Sequence, residues 1–247
     1  MYRQDQSPIY LIAIGAFALG MASYVTAGLI PMIETAFSES VAMAAQLVTA
    51  FTLAYGLGSP LCVALLPARA QRAGLLLALA VFVLANAASA LAGDFTVLMV
   101  ARAVAGVGAG VYLALGIGAS AALSTPERRG KAIAILMGGM ASGVVLGVPL
   151  SLVLAQQWGW QAALWLVTFL GLAAFIGLLI KLPALPAAPA STLASKLALL
   201  VDGLAAGRDR QSRHVHLYRS AARGPAPWRS AFGDSLLVGV GDWRRTG

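Results

Sequence analysis

Six stretches of roughly 20 or more apolar residues, each closed by charge, proline or glycine, leave this chain few ways to fold. They run from about Ile9–Ile30, Ala44–Leu66, Leu75–Ala92, Phe95–Leu123, Ala132–Ala155 and Ala162–Ile180. An α-helix needs about 20 such residues to cross ~30 Å of hydrocarbon. Backbone groups in lipid must bond within their own segment, and runs this long and glycine-rich suit helices rather than barrel strands. Only 11% of the residues are charged and 60% are hydrophobic, whereas a soluble domain carries roughly 25% charged residues. An ordinary soluble enzyme, a disordered chain and a nucleic-acid module are excluded together. The expected fold class is all-α: a polytopic membrane protein of six transmembrane helices.

The net charge of +8 does not point to nucleic acid, because of where it sits. Residues 1–181 hold eight basic and five acidic side chains, whereas 182–247 hold nine and four. Within the six-span region the loop charges alternate. Arg3 precedes the first span, and Glu34 and Glu39 follow it. Arg69 and Arg72 lie between spans two and three, and Asp94 between three and four. Glu127, Arg128, Arg129 and Lys131 join four to five, a Gln156–Gln161 turn joins five to six, and Lys181 and Lys196 come last. Every second loop is basic, so the positive-inside rule places both ends of the unit in the cytoplasm, with the chain in the plasma membrane. The first run is too long for a cleaved signal peptide and is followed by further spans. The loops are too short to house soluble chemistry. Cys62 allows no intrachain disulfide.

Three constellations lie inside the spans. Arg102 stands in Leu98-Met-Val-Ala-Arg102-Ala-Val-Ala-Gly106-Val-Gly108-Ala-Gly110, about 10 Å along its helix if that helix starts near Phe95. It either snorkels to the interface or, as a costly intramembrane charge, faces the bundle interior or a wet cavity. The glycines after it lack the strand and spacing of a dinucleotide loop. In span five Gly139, Gly143, Gly147, Ser151 and Ala155 recur at every fourth position with Pro149 among them. This small-residue face lets another helix pack backbone to backbone, and the proline invites a bend. Span one carries Ser23, Tyr24 and Thr26 at mid-depth. The two small hydroxyls are expected to bond back to their own helix. Asn86 is the polar residue of span three, and Trp158, Trp160 and Trp165 read as an interfacial belt. Neither metal nor cofactor is expected: His214-x-His216 lacks a third ligand.

These residues together resemble the amino-terminal half of a twelve-helix transporter of the major facilitator superfamily, over roughly residues 8–200. The nearest likeness is to its drug:proton antiporters, in the sugar-efflux and chloramphenicol-resistance branch. Leu98-x-x-x-Arg102-x-x-x-Gly106-x-Gly108 resembles that family's fourth-helix arginine motif, and Gly143-x-x-x-Gly147-Val-Pro149 its fifth-helix antiporter motif. Gly28-Leu-Ile-Pro31 is similar to the end of its first helix, and Gly56-Leu-Gly58-Ser-Pro60 leading to Arg69 and Arg72 to its cytoplasmic loop region. That loop lacks the family's usual Asp, and Tyr24 stands where many members carry an acid. Ala105 and Gln161 replace a frequent Gln and Arg.

The resemblance implies alternating access of two six-helix halves about a midplane site. Arg102 would couple to protons. Gly139, Gly143, Gly147 and Pro149 would let helix five pack and gate. Tyr24 and Asn86 would face a substrate cavity, and Arg69 and Arg72 would belong to the cytoplasmic loop. The implied activity is proton-coupled efflux of drugs or small sugars and metabolites, and no enzyme activity. Its partners would be the bilayer, substrate, protons, and the missing carboxy-terminal half or a second copy. The alternative is a non-transporting or homodimerising six-helix protein. An intramembrane enzyme is disfavoured, because both histidines lie outside the spans and no span holds a carboxylate pair.

The expected domains are a six-helix bundle (1–182), a cytoplasmic linker (183–200) and an aberrant, disordered tail (201–247). The tail is expected to be a frameshift product. One permitted set of codons for Arg213 to Arg223, read one base on, encodes a peptide resembling the start of that family's seventh helix.

Overall fold

The computed structural model describes residues 7–67 and 70–185. Six helices long and apolar enough to span a membrane account for most of them: α1 (Ser7–Phe37), α2 (Val41–Leu65), α3 (Gln71–Ala90), α4 (Phe95–Ala122), α5 (Pro126–Trp158) and α6 (Trp160–Lys181). Successive helices reverse direction. One end of the bundle therefore gathers Arg72, Arg128, Arg129, Lys131 and Lys181 together with Glu127, and the other gathers Glu34, Glu39 and Asp94.

Most helices outrun the apolar stretches that announce them. α1 continues through Pro31 and Glu34 to Phe37, because helical bonding does not stop where hydrocarbon does. Short capped joints then turn the chain. Ser40 Oγ accepts from Met43 N at 3.2 Å at the start of α2, and Asp94 Oδ1 accepts from Val97 N at 2.9 Å at the start of α4. Each supplies an acceptor for an amide that the first helical turn leaves unpaired. The expected Gln156–Gln161 turn contracts to a single glycine, Gly159, whose φ of 86° is the left-handed region where a side chain is strained.

α1 packs against α2, α4, α5 and α6. Its contact with α5 is backbone on backbone. A methyl group at Gly139, Gly143 or Gly20 would overlap the carbonyl oxygens of Ala13, Phe17 and Met140 respectively. α2 approaches α4 in the same manner, with the Phe51 carbonyl over Gly106 and the Tyr55 carbonyl over Gly110. The four-residue stripe on α5 is thus a packing face turned to α1.

α2 and α5 share another property. Each widens into a π-helical turn, over Ala54–Gly58 and Gly143–Gly147. Each turn is followed within two residues by a proline, Pro60 or Pro149. A proline ring inside a helix clashes with the carbonyl four residues back and offers no N–H. A wider turn just upstream relieves both problems and bends the helix. These two helices are also the least enclosed of the six.

Candidate functional site

Arg102 sits on α4 one turn before Gly106, and its side chain is 1% exposed. Of the two placements left open by the sequence, the interior one is observed. The guanidinium ties three other helices together. Its Nη1 donates to Asn86 Oδ1 on α3 at 3.1 Å, its Nη2 donates to the Ala22 carbonyl on α1 at 2.8 Å, and its Cζ lies 4.6 Å from the centre of the Phe51 ring on α2. Nε has no hydrogen-bond partner among the described residues. An aromatic face and two neutral oxygens are what this charge receives in place of a carboxylate.

The rest of the site extends from that clasp. Asn86 is fully buried, and its Nδ2 donates to the Phe82 carbonyl at 2.8 Å. Both ends of the amide are therefore committed, and it does not share an open surface with Tyr24. In this conformation Asn86 is a partner of Arg102. Tyr24, by contrast, is 56% exposed. Phe51 carries the arrangement outward, stacking on Tyr55 with ring centres 6.2 Å apart. Deeper in α4, Tyr112 is buried and donates to the Ile12 carbonyl at 3.0 Å, filling the space that Gly15 leaves. The cation–π contact of Phe51 and the bond of Tyr112 carry no signal in the sequence. The hairpin geometry of α3 and α4 could have paired Asn86 with Arg102, because the two stand at similar distances from the Asp94 turn.

The remaining expected residues have separate places. Gly143 and Gly147 are enclosed against α1, whereas Pro149 is exposed beyond the π turn. Ser23 Oγ donates to the Leu19 carbonyl at 2.8 Å as expected, but Thr26 Oγ1 has no hydrogen-bond partner among the described residues. Trp158 is exposed, while Trp160 is buried, its ring 5.6 Å from that of Phe37. Arg69, the linker beyond Leu185, the tail and both histidines lie outside the described residues. Arg72 does not stand free in a loop. Its Nε donates to the Leu182 carbonyl at 2.9 Å and its Nη2 to the Leu179 carbonyl at 3.1 Å, so it caps the end of α6. A cation there pairs the last carbonyls and opposes the helix dipole. Arg72→Ala is expected to cost about 1–2 kcal/mol, read as a lower unfolding midpoint in detergent.

An open apolar groove of about 570 Å³ lies between α3 and α4, lined by Leu84, Val97, Val100 and Val104 among others, and neither Tyr24 nor Asn86 lines it. Among the described residues no group of three or more His, Cys, Asp or Glu is placed to hold a metal ion.

Six antiparallel spans, four of them joined by a buried arginine, with glycine-mediated helix contacts and proline-linked π turns, define a membrane bundle of the kind found in solute transporters. The profile of the Major Facilitator Superfamily matches residues 12–241, and the chain belongs to that family. It is 34% identical over 185 residues to a chloramphenicol resistance protein of Streptomyces lividans, covering 75% of this chain and 47% of that one. It is 29% identical over 194 residues to the inner membrane transport protein YdhP of Escherichia coli, covering 78% and 50% respectively. The fold is similar to that of the xylose transporter XylE of Escherichia coli in a partially occluded inward-open state. That likeness has a TM-score of 0.64 at 20% identity, over 72% of this chain and 50% of that one. The chain spans about half the length of the curated relatives it matches.

Proposed function

We propose that this chain is the amino-terminal half of a proton-coupled exporter of drugs or small sugars and metabolites, working by antiport. It would lie in the plasma membrane with both ends cytoplasmic. The observation that carries the reading is the enclosed Arg102. A charge at membrane depth costs at least ~2–3 kcal/mol, and a purely structural helix contact has no need of one. A guanidinium keeps its proton, so its part in coupling is electrostatic: engaged on α1 or withdrawn from it, it changes the potential felt by protons in the central cavity. The Gly143–Gly147 turn with Pro149 supports a helix that bends and seals as the halves rock. Tyr24, exposed at mid-depth, would face substrate. The name of the Streptomyces relative favours drugs as the cargo.

The reading assigns residues 1–182 to the six-helix bundle, 183–200 to a linker and 201–247 to an aberrant tail. It also requires a second six-helix half, from the missing carboxy-terminal portion or from a second copy. α2 and α5 expose Leu57, Leu61, Val145, Leu146 and Leu150, an apolar face that such a half would cover. The test is reconstitution in proteoliposomes with an imposed pH gradient and labelled chloramphenicol. No flux is expected from the monomeric chain alone, and flux is expected once a carboxy-terminal half from a relative is supplied. Flux by the isolated monomer would overturn the half-protein reading. A stable dimer silent in both arms would instead favour a non-transporting, homodimerising protein.

A further inference from the structure

Short hydroxyls inside these spans habitually donate to the carbonyl four residues back. Ser23 reaches Leu19 at 2.8 Å, Ser151 reaches Gly147 at 2.7 Å and Thr168 reaches Leu164 at 2.8 Å. In an apolar helix that carbonyl is the nearest acceptor available. Two buried hydroxyls, Ser120 and Thr26, break the pattern, and Thr26 is the one whose expected acceptor also receives a side-chain donor. It is 2% exposed, yet its Oγ1 has no hydrogen-bond partner among the described residues. The acceptor it would use is the Ala22 carbonyl, and a backbone carbonyl offers two lone pairs. One belongs to the helical ladder of α1. The other receives Arg102 Nη2 at 2.8 Å. The guanidinium thus occupies the acceptor that the unpaired hydroxyl would otherwise use.

We propose that Thr26 Oγ1 and Arg102 Nη2 are alternative donors to the Ala22 carbonyl, and that Thr26 is a positioning residue for Arg102. With the guanidinium engaged, α1 carries an orphaned buried hydroxyl. When the guanidinium withdraws, Thr26 rotates about χ1 and takes the vacated lone pair. Thr26 thus destabilises the engaged state and stabilises the withdrawn one, narrowing the gap between them. The significance for transport rests on the proposed movement of Arg102. The exchange at the carbonyl does not, and it is measurable without any transport.

The experiment is a cycle of thermal unfolding midpoints on the full chain in detergent: the parent, Thr26→Val, Arg102→Met and the double variant, with Thr26→Ser added to each background. Valine keeps the shape of threonine and removes the hydroxyl. With Arg102 present, Thr26→Val should leave the midpoint unchanged or raise it. With Arg102→Met, the same exchange should lower it by about 2–4 °C, and Thr26→Ser should restore it. Equal shifts in the two backgrounds would overturn the proposal. So would a loss on Thr26→Val in the parent, which is the mark of a hydroxyl already paired through an enclosed water. Should Arg102→Met fail to fold, Asn86→Leu removes one of the two oxygens holding the guanidinium and serves as the second background. There Thr26→Val must shift the midpoint downward relative to its effect in the parent; an identical shift would again refute the exchange. Failure of this cycle would leave the transport reading standing, and absence of transport would leave the cycle intact.

Discussion

Gly143→Val is expected to unseat α5 from α1 and to lower the unfolding midpoint of the chain by about 6–12 °C. The first atom of the new side chain would fall on the Phe17 carbonyl oxygen. That oxygen belongs to the ladder of α1 and has no rotamer to change, so whole helices must part. Overpacking typically costs about 1–3 kcal/mol when side chains can yield. Backbone against backbone belongs at the upper end of that range. The control lies on the same helix: a methyl group at Gly138 would meet nothing within 4 Å, so Gly138→Val should shift the midpoint by no more than about 2 °C. Equal behaviour of the two variants would show that the close approach is not what holds α5 in place.

Arg102→Met is expected to abolish pH-driven export by the chain assembled with a second half, measured as uptake of labelled chloramphenicol into inside-out vesicles. Methionine fills much of the same apolar volume, so the bundle should still assemble. It leaves Asn86 Oδ1 without its donor, a loss of about 1–3 kcal/mol, while the lone pair of Ala22 passes to Thr26. Arg102→Lys separates charge from geometry. Lysine keeps the cation but lacks the planar fork that reaches Asn86 and Ala22 together while lying over Phe51. Partial export is expected from it. Full pH-driven export by Arg102→Met would remove Arg102 from the coupling mechanism.

The spans are legible in the sequence because hydrocarbon thickness imposes a length and a polarity that few residues can disguise. The stripe on α5 is legible because small side chains at a fixed step have few purposes inside a membrane. Contacts between helices are harder to read. Asn86 and Arg102 stand 16 residues apart, and only the level at which α3 and α4 turn brings them face to face. Phe51 gives no sign in the sequence that its ring will lie under a guanidinium. Thr26, like Ser23, is a short hydroxyl on α1, yet it lies beside the Ala22 carbonyl that an arginine three helices later occupies. Arg72 reads as a loop charge until the end of α6 comes into view. In each case the deciding partner lies on another helix, and hydropathy carries no information about partners.

The strict spacing of Gly139, Gly143, Gly147, Ser151 and Ala155 has one more implication. On a regular α-helix a step of four residues rotates by about 40° beyond a full turn, so a long row at that step winds away from any straight neighbour. Gly139, Gly143 and Gly147 all meet α1, and the segment Gly143–Gly147 among them holds one residue more than an ordinary turn would. A one-residue deletion inside that segment would therefore be an unusually mild lesion. It would return the ladder to regular bonding and leave both flanks facing α1, while setting the ring of Pro149 against a carbonyl it now avoids. In this chain a row of small residues at a constant step of four that contains Gly-x-Pro goes with an inserted residue, and both the row and its Gly-x-Pro can be read without a structure.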